Sequence, residues 1–221
     1  PAIAGATLSS DGLFTPPVTA TTASSTTVTA ASTDDSTVLA TMVLWVFPNS
    51  GIFLRPGATS NFTDSLGNVW IDTGGDSGWI GCCGNLSYPS SWPSVPNIAE
   101  YYFEQFAPGG SGDIRVDAYV QNGTYKITVK LGTDQPPGRD VEDLEAQGVL
   151  YYSNVDVNVA AGGKYLPVDY VLANIPVTDG QLSFVLRAVN GNGVDTINAL
   201  QITQTSNGVP VAPASAGGTV K

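Results

Sequence analysis

The chain of 221 residues contains no histidine, two cysteines and only eight lysines and arginines. Without histidine there is no Ser-His-Asp or Cys-His nucleophilic site, no His-ligated zinc and no imidazole pH switch. Nineteen acidic residues bring the net charge to −11 at pH 7. Nucleic acid and anionic membrane surfaces are therefore not expected as partners, because binding them needs clustered Lys and Arg.

Long hydrophobic runs are also missing. No apolar stretch reaches about 18 residues, so no membrane insertion is expected; the segment from Thr37 to Phe47 is apolar but shorter and β-rich in character. The chain starts at Pro1 without a signal peptide, which indicates a trimmed initiator Met, a processed precursor or a fragment. The abundance of Ser, Thr and Asn, together with little Lys, predicts an extracellular or cell-surface protein.

The composition predicts an all-β fold. Charged residues make up 12% of the chain and hydrophobic ones 42%, and Thr, Ser, Val, Gly and Pro are abundant. The best candidate for a helix is the segment 138–148, which is short. Strands separated by regular turn signals predict an antiparallel β-sandwich or jelly roll. The expected strands of the main domain are Gly51–Arg55, Val69–Asp72, Glu100–Phe106, Ile114–Val120, Thr124–Leu131, Gly148–Val159, Tyr165–Val177, Gln181–Ala188 and Thr196–Gln204.

The clearest local signal is the alternation on both sides of Asn122-Gly123. Apolar residues recur at every second position from Ile114 to Val120 and again from Tyr125 to Leu131. An Asn-Gly pair between two alternating segments predicts a β-hairpin, because both residues tolerate positive φ.

The chain divides into three parts. Residues 1–48 are rich in Thr, Ser and Ala and read as short strands at Val18–Thr21, Thr26–Ala31 and Thr37–Phe47. They resemble the closing strands of a bacterial Ig-like domain, and about 48 residues bury too little surface to close a sandwich alone. This segment is expected to pack on the next domain, to pair with another chain or to be the stub of a truncated Ig-like domain. Residues 49–205 form the main domain, and 206–221 read as a tail or linker.

The main domain resembles malectin-like carbohydrate-binding domains. Four stretches carry the resemblance in the order typical of that family. They are NFTDSLGNVWIDT at 61–73, the NGTY element at 122–125, GRDVEDLEAQGVLYYSNVDV at 138–157 and VTDGQLSFVLRAVNGNGVDTINALQI at 177–202. The resemblance implies a jelly-roll sandwich that binds oligosaccharide or polysaccharide and catalyses nothing.

The resemblance also implies a glycan site in loops at one end of the sandwich. Asp195 matches the loop Asp of the family, and Tyr101 and Tyr102 lie in the region that supplies a family Tyr. The sequence departs from the family at 132–137, where the family has aromatics and this chain has Gly, Thr, Asp, Gln and two Pro. This stretch therefore lacks the aromatic contacts that the family supplies from the same place.

Further aromatics stand in the Gly/Ser/Pro-rich stretch 74–98. Trp79, Tyr88 and Trp92 are suited to stacking on the apolar faces of sugar rings. The alternative is that this long loop covers one sheet and buries them as a satellite core. Trp70 is expected in the core.

Two other motifs bear on the chemistry of this region. Asp64, Asp72 and Asp76 lie near several glycines and form a candidate calcium site, with turn-forming Asp residues as the alternative. Cys82 and Cys83 are adjacent, and they form a vicinal disulfide, remain two free thiols or bond to another chain.

The remaining candidate functional residues are carboxylates for catalysis and asparagines for glycosylation. Asp113, Asp117, Glu100 and Glu104 are possible glycosidase pairs, against solvated charges on strand faces as the alternative. Asn61, Asn85 and Asn122 begin N-glycosylation sequons.

Three functions are open at this point. The first is a non-enzymatic extracellular glycan-binding module of a larger surface protein. The second is a structural subunit of a fibre, sheath or shell, in which residues 1–48 exchange strands with copies of the chain or with neighbouring domains. The third is a glycosidase or lyase.

Overall fold

The computed structural model describes residues 6–9, 14–15, 24–47, 51–55, 61–72, 80–82, 105–107, 113–189 and 195–207. The strands are β1 Thr7–Leu8, β2 Phe14–Thr15, β3 Ser24–Ala31, β4 Leu39–Val46, β5 Ile52–Arg55, β6 Phe62–Thr63, β7 Val69–Asp72, β8 Ile80–Cys82, β9 Gln105–Ala107, β10 Ile114–Tyr119, β11 Gly123–Leu131, β12 Val141–Ala146, β13 Val149–Asp156, β14 Val168–Val177, β15 Gln181–Ala188, β16 Asp195–Ile197 and β17 Ala199–Asn207. One helix, α1, spans Val157–Ala161. The described ranges contain no helix long and apolar enough to cross a membrane.

Two sheets form a sandwich, which confirms the predicted all-β fold class. The first has five strands in the order β13-β12-β15-β10-β8, and the second has six in the order β14-β11-β17-β5-β7-β6. Their described pairings are antiparallel except for β5 and β7, which run parallel.

The core lies between the inner faces of the two sheets. Alternate residues of β10, β11 and β15 are buried, and the intervening ones are partly or fully exposed. Phe184 of β15 and Ile127 of β11 are both fully buried and belong to one cluster. This period of two is what a sandwich requires, because successive side chains of a strand point to opposite faces.

The hairpin predicted at Asn122-Gly123 is wrong, although the alternation on either side of it is confirmed. β10 pairs with β15 and β8, whereas β11 pairs with β14 and β17 in the other sheet. Neither Asn122 nor Gly123 is among the described residues with positive φ. The chain turns a corner here from one sheet to the other, since two amphipathic strands can also bury their apolar faces against each other across a sandwich.

The short helix considered at 138–148 is also wrong. Residues Val141–Ala146 form strand β12, with Glu142, Leu144 and Ala146 buried on one face. A two-residue hairpin at Gln147-Gly148 then leads into β13, and both of these residues have positive φ, 51° and 72°. This pair therefore forms the type I′ hairpin that the sequence placed at Asn122-Gly123.

Several predicted strand limits need correction. The strand expected to reach Val159 ends at Asp156, because the Asp156 carboxylate caps α1 by accepting a hydrogen bond from the backbone N–H of Val159. The strand expected from Tyr165 begins at Val168. The strand expected over Thr196–Gln204 is divided at Asn198 between β16, which pairs with β9, and β17, which pairs with β11 and β5.

A second, smaller core contains Trp70, as predicted. Trp70 is 3% exposed and packs edge-on against Phe53, with ring centroids 5.0 Å apart. Ala199 and the partly buried Phe62 complete this cluster.

The N-terminal hairpin of β3 and β4 forms its own two-stranded sheet. Val38 and Leu39 near its tip are 59% and 58% exposed, while Val46 at its base is 6% exposed. Phe47 packs against the main core. The base of the hairpin thus contacts the sandwich, and its tip extends into solvent. Strands predicted at Thr26–Ala31 and Thr37–Phe47 are present with shifted ends, and the strand predicted at Val18–Thr21 lies outside the described residues.

Candidate ligand-binding end of the sandwich

One end of the sandwich brings three segments together. They are residues 132–140, which follow β11, helix α1, which follows β13, and residues 195–198, which contain β16. We call these residues the loop end.

Backbone and side-chain hydrogen bonds join the segments. The N–H of Tyr165 donates to the carbonyl of Thr133 at 2.9 Å. The Asn158 side-chain amide donates to the carbonyl of Gln135 at 2.6 Å, so α1 is tied to the preceding loop. The N–H of Asn198 donates to the carbonyl of Lys130 at 3.1 Å. These bonds fix the path of the backbone where the strands end.

Asp156 connects the same loop to the helix. One carboxylate oxygen accepts from the N–H of Val159 at 3.1 Å, and the other accepts from the N–H of Gly138 at 2.7 Å. Because each oxygen serves a different segment, this single side chain fixes the start of α1 relative to residues 132–140.

Beneath these segments lies a fully buried polar cluster. Thr133, Asp140, Glu142, Thr196 and Asn198 are each 0% exposed. The Thr196 hydroxyl donates to Asp140 Oδ2 at 2.6 Å, and the Thr196 N–H donates to Glu142 Oε1 at 2.7 Å. We call Asp140 and Glu142 the acid pair.

The protonation of the acid pair follows from its surroundings. Burial raises the pKa of Asp140, and the polar groups of Glu142, Thr196 and Thr133 lower it by less, so the pKa stays above its ordinary value. The negative charge of Asp156 raises it further. Two carboxyl groups buried side by side form a hydrogen bond with each other only when one of them carries a proton, because a carboxylate only accepts.

The acid pair fixes the backbone beside Asp195, the residue that the malectin-like resemblance places in the glycan site. Asp195 immediately precedes Thr196, and its backbone pairs with Ala107 of β9. Tyr101 and Tyr102, which precede β9, lie outside the described residues, as do Trp79, Tyr88 and Trp92. Glycan contacts by these six residues stay a prediction.

Asp64, one of the candidate calcium ligands, has its carboxylate engaged in its own turn. It accepts from the N–H groups of Leu66 and Asn68, from the Asn68 side-chain amide and from Trp70 Nε1, at 2.9 to 3.0 Å. Burial raises the pKa of Asp64, but these hydrogen bonds outweigh it and hold the pKa below its ordinary value. This is the arrangement of a turn-forming Asp.

The rest of the calcium prediction stays untested. Asp72 lies in β7, where only its backbone is described, and Asp76 lies outside the described residues. Among those that are described, no group of three or more acidic or cysteine side chains is placed to hold a metal.

The cysteine prediction is also untested. Cys82 lies in β8, and its backbone pairs with Ile114 of β10. Cys83 lies outside the described residues, so the vicinal disulfide remains a prediction.

Two of the carboxylates considered for glycoside hydrolysis form ion pairs at the surface. Asp113 pairs with Arg187 at 2.7 Å, and Asp117 pairs with Arg115 at 2.8 Å. Both ion pairs agree with the alternative interpretation, in which these carboxylates are charges at the protein surface. Glu100 and Glu104 lie outside the described residues.

The sequence prediction missed the acid pair. The signal was available in DVEDLEA, residues 140–146, because a period of two places Asp140 and Glu142 on the same face as Leu144 and Ala146. Considering this stretch as a helix concealed that alternation.

No family model and no curated protein matches the sequence. Solved structures with the same fold include the ANXUR2 extracellular domain from Arabidopsis thaliana, with 16% identity and a TM-score of 0.56 over 70% of this chain and 41% of that one. The plant receptor-like kinase FER has 15% identity and a TM-score of 0.55, over 74% of this chain and 43% of that one. A structure of the plant peptide RALF23 in complex with FER and LLG2 matches with 14% identity and a TM-score of 0.53, over 76% of this chain and 42% of the matched one.

These neighbours are malectin-like extracellular domains of plant receptor-like kinases. The chain spans less than half the length of each of them. At such identities the likeness concerns the fold, and it confirms the malectin-like sandwich that the four sequence stretches predicted.

Proposed function

We propose that this chain is a non-enzymatic, extracellular glycan-binding module of a larger surface protein, and that the loop end is its binding site. The observation that carries the proposal is the pair of short hydrogen bonds from Thr196 to the acid pair. They hold the backbone next to Asp195 in one position before any ligand arrives. A fixed binding residue loses little conformational entropy on binding, which favours affinity.

The structural neighbours support an extracellular, ligand-binding role. They are ectodomains of receptor-like kinases, and FER occurs in a complex with the peptide RALF23 and with LLG2. The absence of histidine is consistent with binding rather than catalysis.

Glycan is the proposed ligand because of the aromatics in the sequence just before β8 and between β8 and β9. Trp79, Tyr88, Trp92, Tyr101 and Tyr102 would stack on sugar rings, while the Asp195 carboxylate accepts hydroxyl hydrogens. Residues 132–137 carry no aromatics, so stacking falls to this other set. The proposal requires no calcium, since Asp64 already accepts four hydrogen bonds.

The test is a glycan array followed by calorimetric titration of the strongest hits. Asp195→Asn removes one charge from the loop end, and Asp179→Asn removes one charge from the turn at the opposite end of the sandwich. Trp92→Ala tests the stacking. We expect Asp195→Asn and Trp92→Ala to weaken binding at least about tenfold, which corresponds to about 1.4 kcal/mol, and Asp179→Asn to leave it unchanged.

Absence of affinity for every neutral oligosaccharide would overturn the proposal. Equal weakening by Asp195→Asn and Asp179→Asn would place the site elsewhere. Binding of an extended peptide at the loop end without any glycan affinity would retain the site and reject the ligand class.

A second candidate is a structural subunit that assembles through the N-terminal hairpin. The observation that favours it is that β3 and β4 pair only with each other within the described residues. Their 16 residues include no charge and no proline, the two features that commonly block unwanted pairing at strand edges. A two-stranded hairpin is only marginally stable by itself, so pairing with a copy of the chain would stabilise it.

Sedimentation across a range of protein concentrations tests this second function. Val28→Lys places a charge on β3, and Thr178→Lys places the same charge on an exposed turn of the sandwich. Assembly through the hairpin predicts concentration-dependent oligomers that Val28→Lys abolishes and Thr178→Lys preserves. A chain that remains monomeric at every concentration contradicts it.

A further inference from the structure

The acid pair offers a mechanism beyond rigid support of the loop end. Asp140 and Glu142 lie two residues apart on one face of the polypeptide, and both are 0% exposed. Their hydrogen bonds to Thr196 cross 56 and 54 positions of sequence. Any change in the charge of the pair therefore acts directly on β16, a strand of only three residues.

We propose that Asp140 and Glu142 share one proton and act as a pH-sensitive latch, which holds β16 at the loop end while the proton is bound and releases it when both carboxyls ionise. Its effect on ligand binding rests on the function proposed above. The latch itself is a property of the free protein.

The groups around the pair make double ionisation unfavourable. Two adjacent carboxylates repel each other, and their burial removes the water that would screen them. Within the described part of the chain, the charge that acts on Asp140 belongs to another acid, Asp156, located at the end of β13. Tyr170 of β14 also lies near the pair. Burial raises the pKa of its hydroxyl most, followed by the effects of Tyr152 and Glu142. Thr196, which donates a hydrogen bond to Asp140, and Thr133, which also affects its pKa, are neutral side chains.

The direction of the pH effect follows from linkage. In the latched state, burial raises the pKa of Asp140 by more than the hydrogen bond from Thr196 lowers it, so this state holds a proton. Release of β16 would let water reach the pair, which returns the pKa towards its ordinary value and lets the proton leave. The latch is strongest below the ordinary pKa of a carboxyl and weakens as the pH rises towards the raised value. For one proton, the equilibrium constant for closing falls by up to about tenfold per pH unit across that range.

Glu142→Gln is the informative variant. Its side-chain oxygen still accepts from the Thr196 N–H, and its NH₂ group donates permanently to Asp140, so it reproduces the protonated pair without a titrating proton. Glu145→Gln is the matched control, since Glu145 lies on the other face of the same strand and pairs with Arg187 at the surface.

The experiment measures amide hydrogen exchange of Thr196 between pH 5 and pH 9, corrected for the intrinsic exchange rate. We expect the protection of the Thr196 amide to fall with rising pH in the wild type and in the control variant Glu145→Gln. In Glu142→Gln the protection should stay constant. Protection that changes identically in all three proteins overturns the latch.

A second measurement uses the wild-type protein alone, so it does not depend on the folding of any variant. Infrared spectra of the wild type between pH 5 and pH 9 should show the carbonyl band of a protonated carboxylic acid that fades as the pH rises. Absence of this band throughout the range refutes the shared proton. Both measurements use the protein without ligand, so a failure to bind glycan leaves them unaffected. If glycan binding is found, its affinity should weaken with rising pH in the wild type and not in Glu142→Gln.

Discussion

The side-chain oxygen of Asn122 accepts a hydrogen bond from the backbone N–H of Gly180 at 2.8 Å. Asn122 lies where the chain passes from β10 to β11, and Gly180 lies where it passes from β14 to β15. Both passages connect the two sheets of the sandwich. The carbonyl of Gly180 also accepts from the N–H of Val120 at 2.9 Å, so the two corners are joined side by side.

Asn122→Ala should therefore destabilise the sandwich. The N–H of Gly180 would lose its partner at a half-buried position, which costs about 1–2 kcal/mol. Urea unfolding followed by fluorescence measures the difference. Gln121→Ala, which shortens an exposed side chain in the same corner, should leave the midpoint within error of the wild type, and an equal loss in both variants would show that Asn122 has no special role.

The side chain of Gln147 joins the hairpin between β12 and β13 to the neighbouring strand β15. The amide oxygen accepts from the N–H of Ser183 at 2.9 Å, and the amide nitrogen donates to the carbonyl of Gln181 at 3.0 Å. Gln147→Ala should cost about 1–3 kcal/mol, because both bonds are lost while the residue keeps its positive φ.

Gln147→Gly separates the two contributions, since glycine adopts positive φ without strain. It should be less destabilising than Gln147→Ala in the same unfolding experiment. The reverse order would mean that the backbone conformation at this position is not the source of strain.

The contribution of Asp64 to the free energy of unfolding should depend on pH. Its folded pKa is lowered, so the contribution is present above the ordinary carboxyl pKa and is lost as the pH falls through the folded value. Asp64→Asn places an NH₂ group among N–H donors and should cost about 1–3 kcal/mol at pH 7. The difference from the wild type should shrink at acid pH.

Urea unfolding at pH 7 and at pH 3 checks this expectation. Asp169→Asn is the control, because the ion pair of Asp169 with Lys130 lies at the surface and contributes at most about 1 kcal/mol. A constant difference between Asp64→Asn and the wild type at both pH values would contradict the assignment.

Tyr125 should resist ionisation. Its hydroxyl donates to the carbonyl of Gln121 at 2.6 Å, and burial raises its pKa to about 12. Because the folded pKa is raised, the stabilisation is full below the ordinary tyrosine value and is lost as the pH rises through about 12. Comparison of the ultraviolet pH titrations of the wild type and Tyr125→Phe should show no difference until the pH approaches this value, and an earlier difference would rule out the buried hydroxyl.

The sequence alone predicted the fold class, the faces of most strands and the malectin-like resemblance. These properties depend on local alternation, because a strand that buries one face must repeat apolar residues with a period of two. Trp70 in the core and the strand Gln181–Ala188 followed from the same pattern, and both are confirmed.

The tertiary structure decided which strands meet. β10 and β11 alternate as the two strands of a hairpin would, but whether they pair or face each other depends on β14, β15 and β17, which are distant in sequence. Glu142 and Thr196 are 54 positions apart, and no local pattern indicates that their atoms lie at 2.7 Å. Local sequence determines the direction in which a side chain points, whereas its partner depends on the packing of the two complete sheets.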